Sequence, residues 1–255
     1  MIYSKIIKLT MTDIAANLKL VRDKISNACN RRSAELGNNI PRLVAVSKTK
    51  PPNLIIDAYE NGQQHFGENY VNELVDKANH PDIKIKDIKW HFIGHLQRNK
   101  VNKVLAVPNL YMVETVDTEK LASTVDSAWQ KYKKQDDSQL KIMVQVNTSG
   151  EKEKSGCEIS QTSTLVNYIK NNCKNLKFVG LMTIGAYGYD PANGPNPDFV
   201  ALKNCRDDIC KELNLSKDDV ELSMGMSTDY EHAIELGSTS VRVGSAIFGQ
   251  RPPKN

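Results

Sequence analysis

The fold of this chain is decided by RLVAVSK, residues Arg42–Lys48, the first of eight short apolar runs in the sequence. This run is continuous rather than alternating, which is typical of a strand buried on both faces of a parallel sheet. Seven similar runs follow it. We therefore predict eight strands: Arg42–Ser47, Gln64–Phe66, Trp90–Ile93, Tyr111–Glu114, Lys141–Asn147, Phe178–Thr183, Val220–Ser223 and Ser240–Val243.

Helical patterns precede the first run and separate the others. The first helix has apolar residues at helical spacing from Ile14 to Ala28. Further helix candidates cover residues 53–61, 69–78, 96–105, 118–133, 160–172, 198–213 and 229–236. This alternation predicts an α/β fold, a (β/α)8 TIM barrel in a single domain. A doubly wound open sheet ranks second, because no Gly-x-Gly-x-x-Gly turn follows the first strand. We expect the barrel to cover residues 14–251, between a flexible N-terminal extension (1–13) and a tail (252–255).

Composition narrows the possible functions. The net charge of +4 on 255 residues is small, with acids and bases interspersed, which argues against nucleic-acid binding. No apolar run approaches the roughly 18 residues of a membrane span. The five cysteines lack a Cys-x-x-Cys spacing, so we expect free thiols in a reducing compartment and no metal. The predicted location is cytoplasmic; mitochondrial residence stays open, because the first ten residues are basic and Met11 is an alternative start.

Barrel enzymes build their sites where the strands end, and Lys48 directly follows the first strand. Partial burial there favours the neutral amine that Schiff-base chemistry needs. On position alone, a strand-end lysine that extends its amine to water is the favoured interpretation.

The ends of strands seven and eight carry glycine and serine. Strand seven leads into Gly225, Met226 and Ser227, followed by a predicted helix start in which Thr228 and Glu231 have capping-box spacing. Strand eight leads into Gly244 and Ser245. Phosphate sites in barrels frequently use the loops after these two strands, so the pair favours a phosphate.

Three further polar positions are less specific. Arg242 lies inside an apolar strand and needs a partner, either a ligand group (a ring nitrogen or a phosphate) or a carboxylate in a structural salt bridge. Asn69 and Asn147 follow strands two and five and could each bind a ligand or cap the next element. We interpret His91 and His95 as structural or loop residues, because they lack the spacing of a metal pair with a third ligand.

Several motifs resemble one known family along nearly the whole chain, from about residue 14 to residue 251. The motifs are Ala45–Lys50, Phe66–Tyr70, Trp90–Gly94, Gly180–Thr183, Leu222–Ser227 and Val241–Gly249. The sequence is similar to the pyridoxal phosphate (PLP) homeostasis family, single-domain relatives of the alanine racemase N-terminal barrel with the type III fold of PLP-binding proteins. The resemblance implies the following roles: a Schiff base at Lys48, the pyridine nitrogen facing Arg242, phosphate contacts from Ser227, Gly244 and Ser245, a backbone contact from Met226, and Asn69 near the cofactor.

The resemblance also bears on whether the protein is an enzyme. An arginine can only donate hydrogen bonds, so Arg242 would hold the pyridine nitrogen unprotonated and weaken carbanion chemistry. In the racemases that it resembles, a second base is a tyrosine from a C-terminal β-domain of a partner subunit. This sequence stops at Asn255, so we expect that base to be missing.

We therefore expect a non-catalytic, monomeric carrier that buffers PLP and supplies it to PLP-dependent apo-enzymes. A weak PLP-dependent amino-acid racemase is the first alternative. A phosphate-binding barrel without PLP is the second.

Overall fold

A computed structural model of the chain describes residues 12–37, 39–133, 138–151 and 153–250. Eight parallel strands close into a barrel in chain order, which confirms the predicted (β/α)8 fold. All eight predicted strands are present, with ends that differ by at most two residues. They are β1 Arg42–Val46, β2 His65–Glu68, β3 Lys89–Phe92, β4 Leu110–Val116, β5 Leu140–Gln145, β6 Leu176–Met182, β7 Glu221–Ser223 and β8 Ser240–Val243.

Helices connect the strands and form the outer layer, against which the barrel packs its main apolar core. They are α1 Ile14–Arg31, α2 Pro52–Glu60, α3 Val71–Ala78, α4 Pro81–Lys84, α5 Val101–Leu105, α6 Glu119–Trp129, α7 Ile159–Asn172, α8 Pro197–Glu212, α9 Tyr230–Glu235 and α10 Ser245–Phe248. None of the helices in these described ranges is long and apolar enough to cross a membrane.

The helices differ from the prediction in four places. The candidate at 96–105 divides into a 3-10 turn, Arg98–Lys100, and the short α5. The candidate at 118–133 ends at Trp129. The short helices α4 and α10 were not predicted, because four residues are too few to establish a helical period. The segment between β6 and α8 contains one 3-10 turn, Pro191–Asn193.

Helix α1 closes the ring of helices. Its predicted apolar face is buried, and it packs against α9 and α10 on one side and α2 on the other. Asp13, which the sequence analysis placed in the extension, caps this helix by accepting the N–H of Ala16 at 2.9 Å. The side chain of Asn17 donates to the carbonyl of Ile247 at 2.9 Å. Helix α1 thus packs beside the short α10 that follows β8.

The interior of the barrel has an apolar part and a polar part. Met112, Met143, Val179 and Met182 from β4, β5 and β6 form a separate apolar cluster. Buried His91, Glu114, Ser223 and Arg242 form a hydrogen-bonded column beside it. The remaining expectations, for most of the extension, the start at Met11 and the tail, lie outside the described residues.

Candidate functional site

The predicted site residues lie near or just after the ends of strands that are neighbours in the barrel. Because the sheet closes between β8 and β1, the ends of β7, β8, β1 and β2 form one continuous arc at the barrel mouth. In the register, Val44 of β1 lies beside Arg242 of β8, and Val46 lies beside Gly67 of β2. The arc therefore brings together the seven positions: Lys48, Asn69, Met226, Ser227, Arg242, Gly244 and Ser245.

Lys48 occupies a tight turn at the end of β1. The turn is closed by the N–H of Lys50, which donates to the carbonyl of Ser47 at 3.0 Å. Thr49 has φ of 63°, a left-handed conformation that is unusual for a β-branched residue. The N–H of Thr49 donates to Oε2 of Glu73 at 2.7 Å, which helps to hold this turn. Lys48 is half-buried, and the hydrogen bonds around this turn fix the backbone that carries its side chain.

A buried ion network lies directly behind this turn. Nζ of Lys77 donates to the carbonyl of Ser47 at 2.8 Å, to Glu68 at 2.7 Å and to Glu73 at 2.8 Å. Burial raises the pKa of the Glu68 carboxyl despite the lysine beside it. Partial burial also opposes ionisation of Glu73, but hydrogen bonds from Lys77 and Thr49 outweigh it and lower that pKa. This cluster ties α3 to the strand end that carries the candidate lysine.

The glycine and serine loops after β7 and β8 are joined by one hydroxyl. Oγ of Ser227 accepts the N–H of Gly244 at 3.0 Å and the N–H of Ala246 at 3.5 Å. Two backbone donors therefore converge on one oxygen, as an anionic oxygen requires. A Cβ on Gly244 would lie 3.2 Å from the carbonyl oxygen of Val46, so the glycine permits the close approach to β1. Ser245 is exposed at the mouth.

The turn before α9 is held differently from the prediction. Asp229, not Thr228, precedes the first residue of α9, so the predicted capping box is wrong. Oδ1 of Asp229 accepts the N–H of Met226 at 2.6 Å, which fixes the backbone just before Ser227. Burial raises the pKa of the Asp229 carboxyl, with the Met226 hydrogen bond and Arg242 opposing.

Arg242 is 4% exposed at the inner end of the arc. Its guanidinium donates to Oγ of Ser223 at 2.7 Å and to the carbonyl of Thr183 at 2.7 Å. Burial lowers the pKa of Arg242, and the negative charges of Glu114 and Asp229 oppose that shift. Within the described residues Arg242 forms no ion pair, so the structural salt bridge that the sequence left open for it is not found there.

Asn69 and Asn147 have different hydrogen-bonding surroundings. The amide of Asn147 donates to the carbonyls of Glu151 and Lys154 and accepts the N–H of Gly150, so it organises its own loop. Oδ1 of Asn69 is buried and has no hydrogen-bond partner within the described chain. A buried acceptor without a donor is costly, which makes Asn69 the better candidate for a ligand contact.

Sequence reasoning missed several residues of the site. Ala246 contributes only a backbone N–H, which a side-chain pattern cannot indicate. Lys77 and Glu73 were hidden in an ordinary amphipathic helix. Glu114 was assigned to a strand end, whereas β4 continues to Val116 through a register irregularity after Val113. A buried acid within an apolar strand is the signal that could have identified it.

These features define a class of protein: a (β/α)8 barrel with a lysine and converging backbone N–H donors on adjacent strand ends. The family model for the alanine racemase N-terminal domain matches residues 14–252, and the chain belongs to that family.

Individual relatives agree with this assignment. The chain is 54% identical over 240 residues to the human pyridoxal phosphate homeostasis protein, covering 93% of this chain and 86% of the human one. Among solved structures it is similar to PipY of Synechococcus elongatus with PLP bound, at 27% identity and a TM-score of 0.76, covering 93% of this chain and all of PipY. Alanine racemase from E. faecalis shares the fold, at 16% identity and a TM-score of 0.62, covering 95% of this chain and 60% of the racemase.

Proposed function

We propose that this protein binds pyridoxal 5′-phosphate as a Schiff base on Lys48 and acts as a carrier in PLP (vitamin B6) homeostasis. The observation that carries the proposal is the arc at the barrel mouth. Four adjacent strand ends there hold a lysine, a buried arginine and a backbone cradle suited to a phosphate. The relatives named above are a PLP homeostasis protein and a structure with PLP bound, which supports the same ligand.

The residues present fit three of the polar groups of PLP: its aldehyde, its phosphate and its ring nitrogen. PLP supplies an aldehyde, which condenses with a lysine amine and releases water. Nζ of Lys48 would hold the aldehyde carbon. The converging N–H groups of Gly244 and Ala246 would hold the phosphate, together with the rest of the cradle. The rest of the cradle would consist of the hydroxyls of Ser227 and Ser245 and the backbone at Met226, which Asp229 holds in place through the Met226 N–H.

The opposite end of the ligand would meet Arg242. Its guanidinium can only donate, so it would hold the ring nitrogen without protonating it. The unpartnered Oδ1 of Asn69 gives this residue a reason to contact the ligand or a water beside it.

We favour a carrier over an enzyme for two reasons. A permanently charged arginine at the ring nitrogen weakens the electron withdrawal on which PLP enzymes depend. The mouth is also open, since Thr49, Ser245 and Ala246 are exposed, which suits loading and unloading of ligand. We further propose that the protein is a monomer and that it delivers PLP to apo-enzymes.

Titration with PLP tests the proposed ligand. We expect one equivalent to produce a yellow protein with a Schiff-base absorption band that borohydride bleaches. Inorganic phosphate at millimolar concentration should compete. A protein that stays colourless at saturating PLP contradicts the proposal, and phosphate binding without colour would favour the phosphate-binding barrel instead.

A weak amino-acid racemase is the second candidate, because the fold is shared with alanine racemases. Chiral chromatography after incubation of the loaded protein with L-alanine separates the two functions. The carrier predicts no turnover above that of free PLP. Rapid racemisation abolished by Lys48→Ala would replace the carrier with an enzyme.

A further inference from the structure

We propose that Glu114 is the counter-charge of Arg242 and that, acting through the hydroxyl of Ser223, it positions this arginine for the ligand. Glu114 and Ser223 are then positioning residues, with no contact to the ligand themselves. The inference rests on the proposed role of Arg242 at the ring nitrogen, and it goes further by identifying what fixes the guanidinium there.

The direction of each hydrogen bond follows from the chemistry of the groups. Arg242 can only donate, so Oγ of Ser223 accepts at 2.7 Å. Burial opposes ionisation of Glu114, yet the hydrogen bond and charge of His91, the charge of Arg242 and the hydrogen bond from Ser223 lower its pKa, which favours the carboxylate. A carboxylate can only accept, so Ser223 donates to Oε2 at 2.6 Å. The Ser223 hydroxyl therefore links the carboxylate of Glu114 to the guanidinium of Arg242 through two hydrogen bonds.

The other oxygen of Glu114 is also engaged. Nδ1 of His91 lies 2.6 Å from Oε1, and both side chains are fully buried. Nε2 of His91 in turn lies 2.8 Å from Nδ1 of His65. Both carboxylate oxygens are thus held, so the acid cannot swing to form a direct ion pair with Arg242.

Burial makes this indirect pairing significant. Glu114 and Ser223 are 0% exposed and Arg242 is 4% exposed, so water does not screen the two charges. A buried cation without a counter-charge is strongly unfavourable. Within the described chain the other acid with an electrostatic effect on Arg242 is Asp229, which is engaged with the N–H of Met226. Glu114 is therefore the main compensation for Arg242 inside the barrel.

The first test measures ligand binding in Glu114→Gln, which keeps the shape of the side chain and removes its charge. We expect a PLP dissociation constant raised about tenfold or more, the scale of one hydrogen bond to a charged group. We also expect a shifted absorption maximum of the bound ligand, because the donor facing the ring has moved. Ser223→Ala should change both quantities in the same direction, and Ser223→Thr, which restores the hydroxyl, should recover them partly.

Glu221→Gln is the matched control. It makes the same chemical change in a half-buried acid at the opposite end of the barrel, where Glu221 pairs with Arg42. The PLP dissociation constant of Glu221→Gln should stay within twofold of the wild-type value. Its absorption spectrum should be unshifted. Wild-type binding and an unshifted spectrum in both Glu114→Gln and Ser223→Ala would overturn the inference.

A double-mutant cycle tests the coupling without any ligand. If the two charges compensate each other, Glu114→Gln with Arg242→Met should unfold at a urea concentration no lower than Glu114→Gln alone. Strictly additive losses in the ligand-free protein would overturn the inference. This cycle also separates the two proposals: a wild-type protein that binds no PLP defeats the proposed function, while the cycle still decides whether Glu114 and Arg242 are coupled.

Discussion

The barrel interior contains two arginines, and their surroundings differ. Arg42, at the start of β1, donates to both oxygens of Glu221 at 2.5 and 2.9 Å. Arg242, near the end of β8, reaches only a hydroxyl and a carbonyl, and its acid, Glu114, lies one hydroxyl further away. Both are desolvated, but the direct bonds from Glu221 raise the pKa of Arg42, whereas that of Arg242 is lowered.

This difference separates a structural arginine from a candidate binding arginine. A bidentate ion pair occupies the guanidinium of Arg42 in a fixed geometry. Neutral partners fix Arg242 without cancelling its charge at close range. The barrel mouth therefore retains a charged donor for a ligand, while the opposite end is internally neutralised.

The largest expected effect comes from reversing the charge at the mouth. Arg242→Glu would place a second carboxylate beside Glu114 in a buried site, so the free energy of unfolding should fall by about 4 kcal/mol. PLP retention should be lost, or the absorption band of the remaining bound ligand shifted. Urea unfolding and absorption spectra measure these effects. An unchanged spectrum with full retention would mean that Arg242 does not face the ring.

The second change removes the structural arginine. Arg42→Met leaves Glu221 without its bidentate partner in a partly exposed position, so the stability loss should be about 2 kcal/mol. PLP affinity and spectrum should match the wild type, because Arg42 lies at the other end of the barrel. A dissociation constant raised as much as in Arg242→Met would remove the distinction between the two arginines.

The third prediction concerns His65, which lies 2.8 Å from His91 and whose pKa is affected by the charge of Arg42. Burial, then the nearby His91, Arg42, Lys89 and Lys141, lowers the pKa of His65 to about 3. Below its ordinary pKa of 6.5 the unfolded chain takes up a proton that the folded protein refuses, so stability is complete above pH 6.5 and falls as the pH decreases towards 3.

We expect a loss of about 1.5 kcal/mol from this group by pH 4, discounted because the ring is only half-buried. Urea unfolding at pH 7, 5.5 and 4 measures the loss. His65→Gln should remove this part of the pH dependence. An identical pH dependence in wild type and His65→Gln would assign the acid sensitivity to other groups.

The smallest expected effect is at the surface. Arg31 of α1 pairs with Glu231 and Glu235 of α9, but its side chain is 50% exposed. Arg31→Met should therefore change stability by about 0.5 kcal/mol and leave PLP binding unaltered. A tenfold change in the PLP affinity of Arg31→Met would show that a shift of α9 also moves the loop that carries Ser227.

The sequence indicates that Arg242 is unusual, but it does not show that Arg242 and Arg42 have different partners. Arg242 stands out because it interrupts a short apolar strand. Arg42 opens a strand, where charged residues are common, and its partner Glu221 is 179 residues away. Likewise, Ser223 and Glu114 are 109 residues apart. Strand order brings such pairs together only when the barrel closes, and a periodic pattern contains no information on contacts across the interior.

The fold itself was predictable because each strand is a continuous apolar run and the long helices have clear periods. The placement of the seven candidate positions at one end of the barrel was also predictable, because in a parallel barrel every strand end reaches the same face. The network of Lys77, Glu68 and Glu73 behind Lys48 was not. A buried lysine inside an amphipathic helix has the same local pattern as an exposed one.

The central claim is that Lys48 anchors the ligand, and peptide mapping tests it most directly. The PLP-loaded protein is reduced with borohydride, digested and sequenced by mass spectrometry. We predict a pyridoxyl group on Lys48, with Lys50, whose amine donates to the carbonyl of Gln250 at 2.9 Å, unmodified. A stoichiometric modification on Lys50 or any other lysine, with Lys48 unmodified, would contradict the assignment.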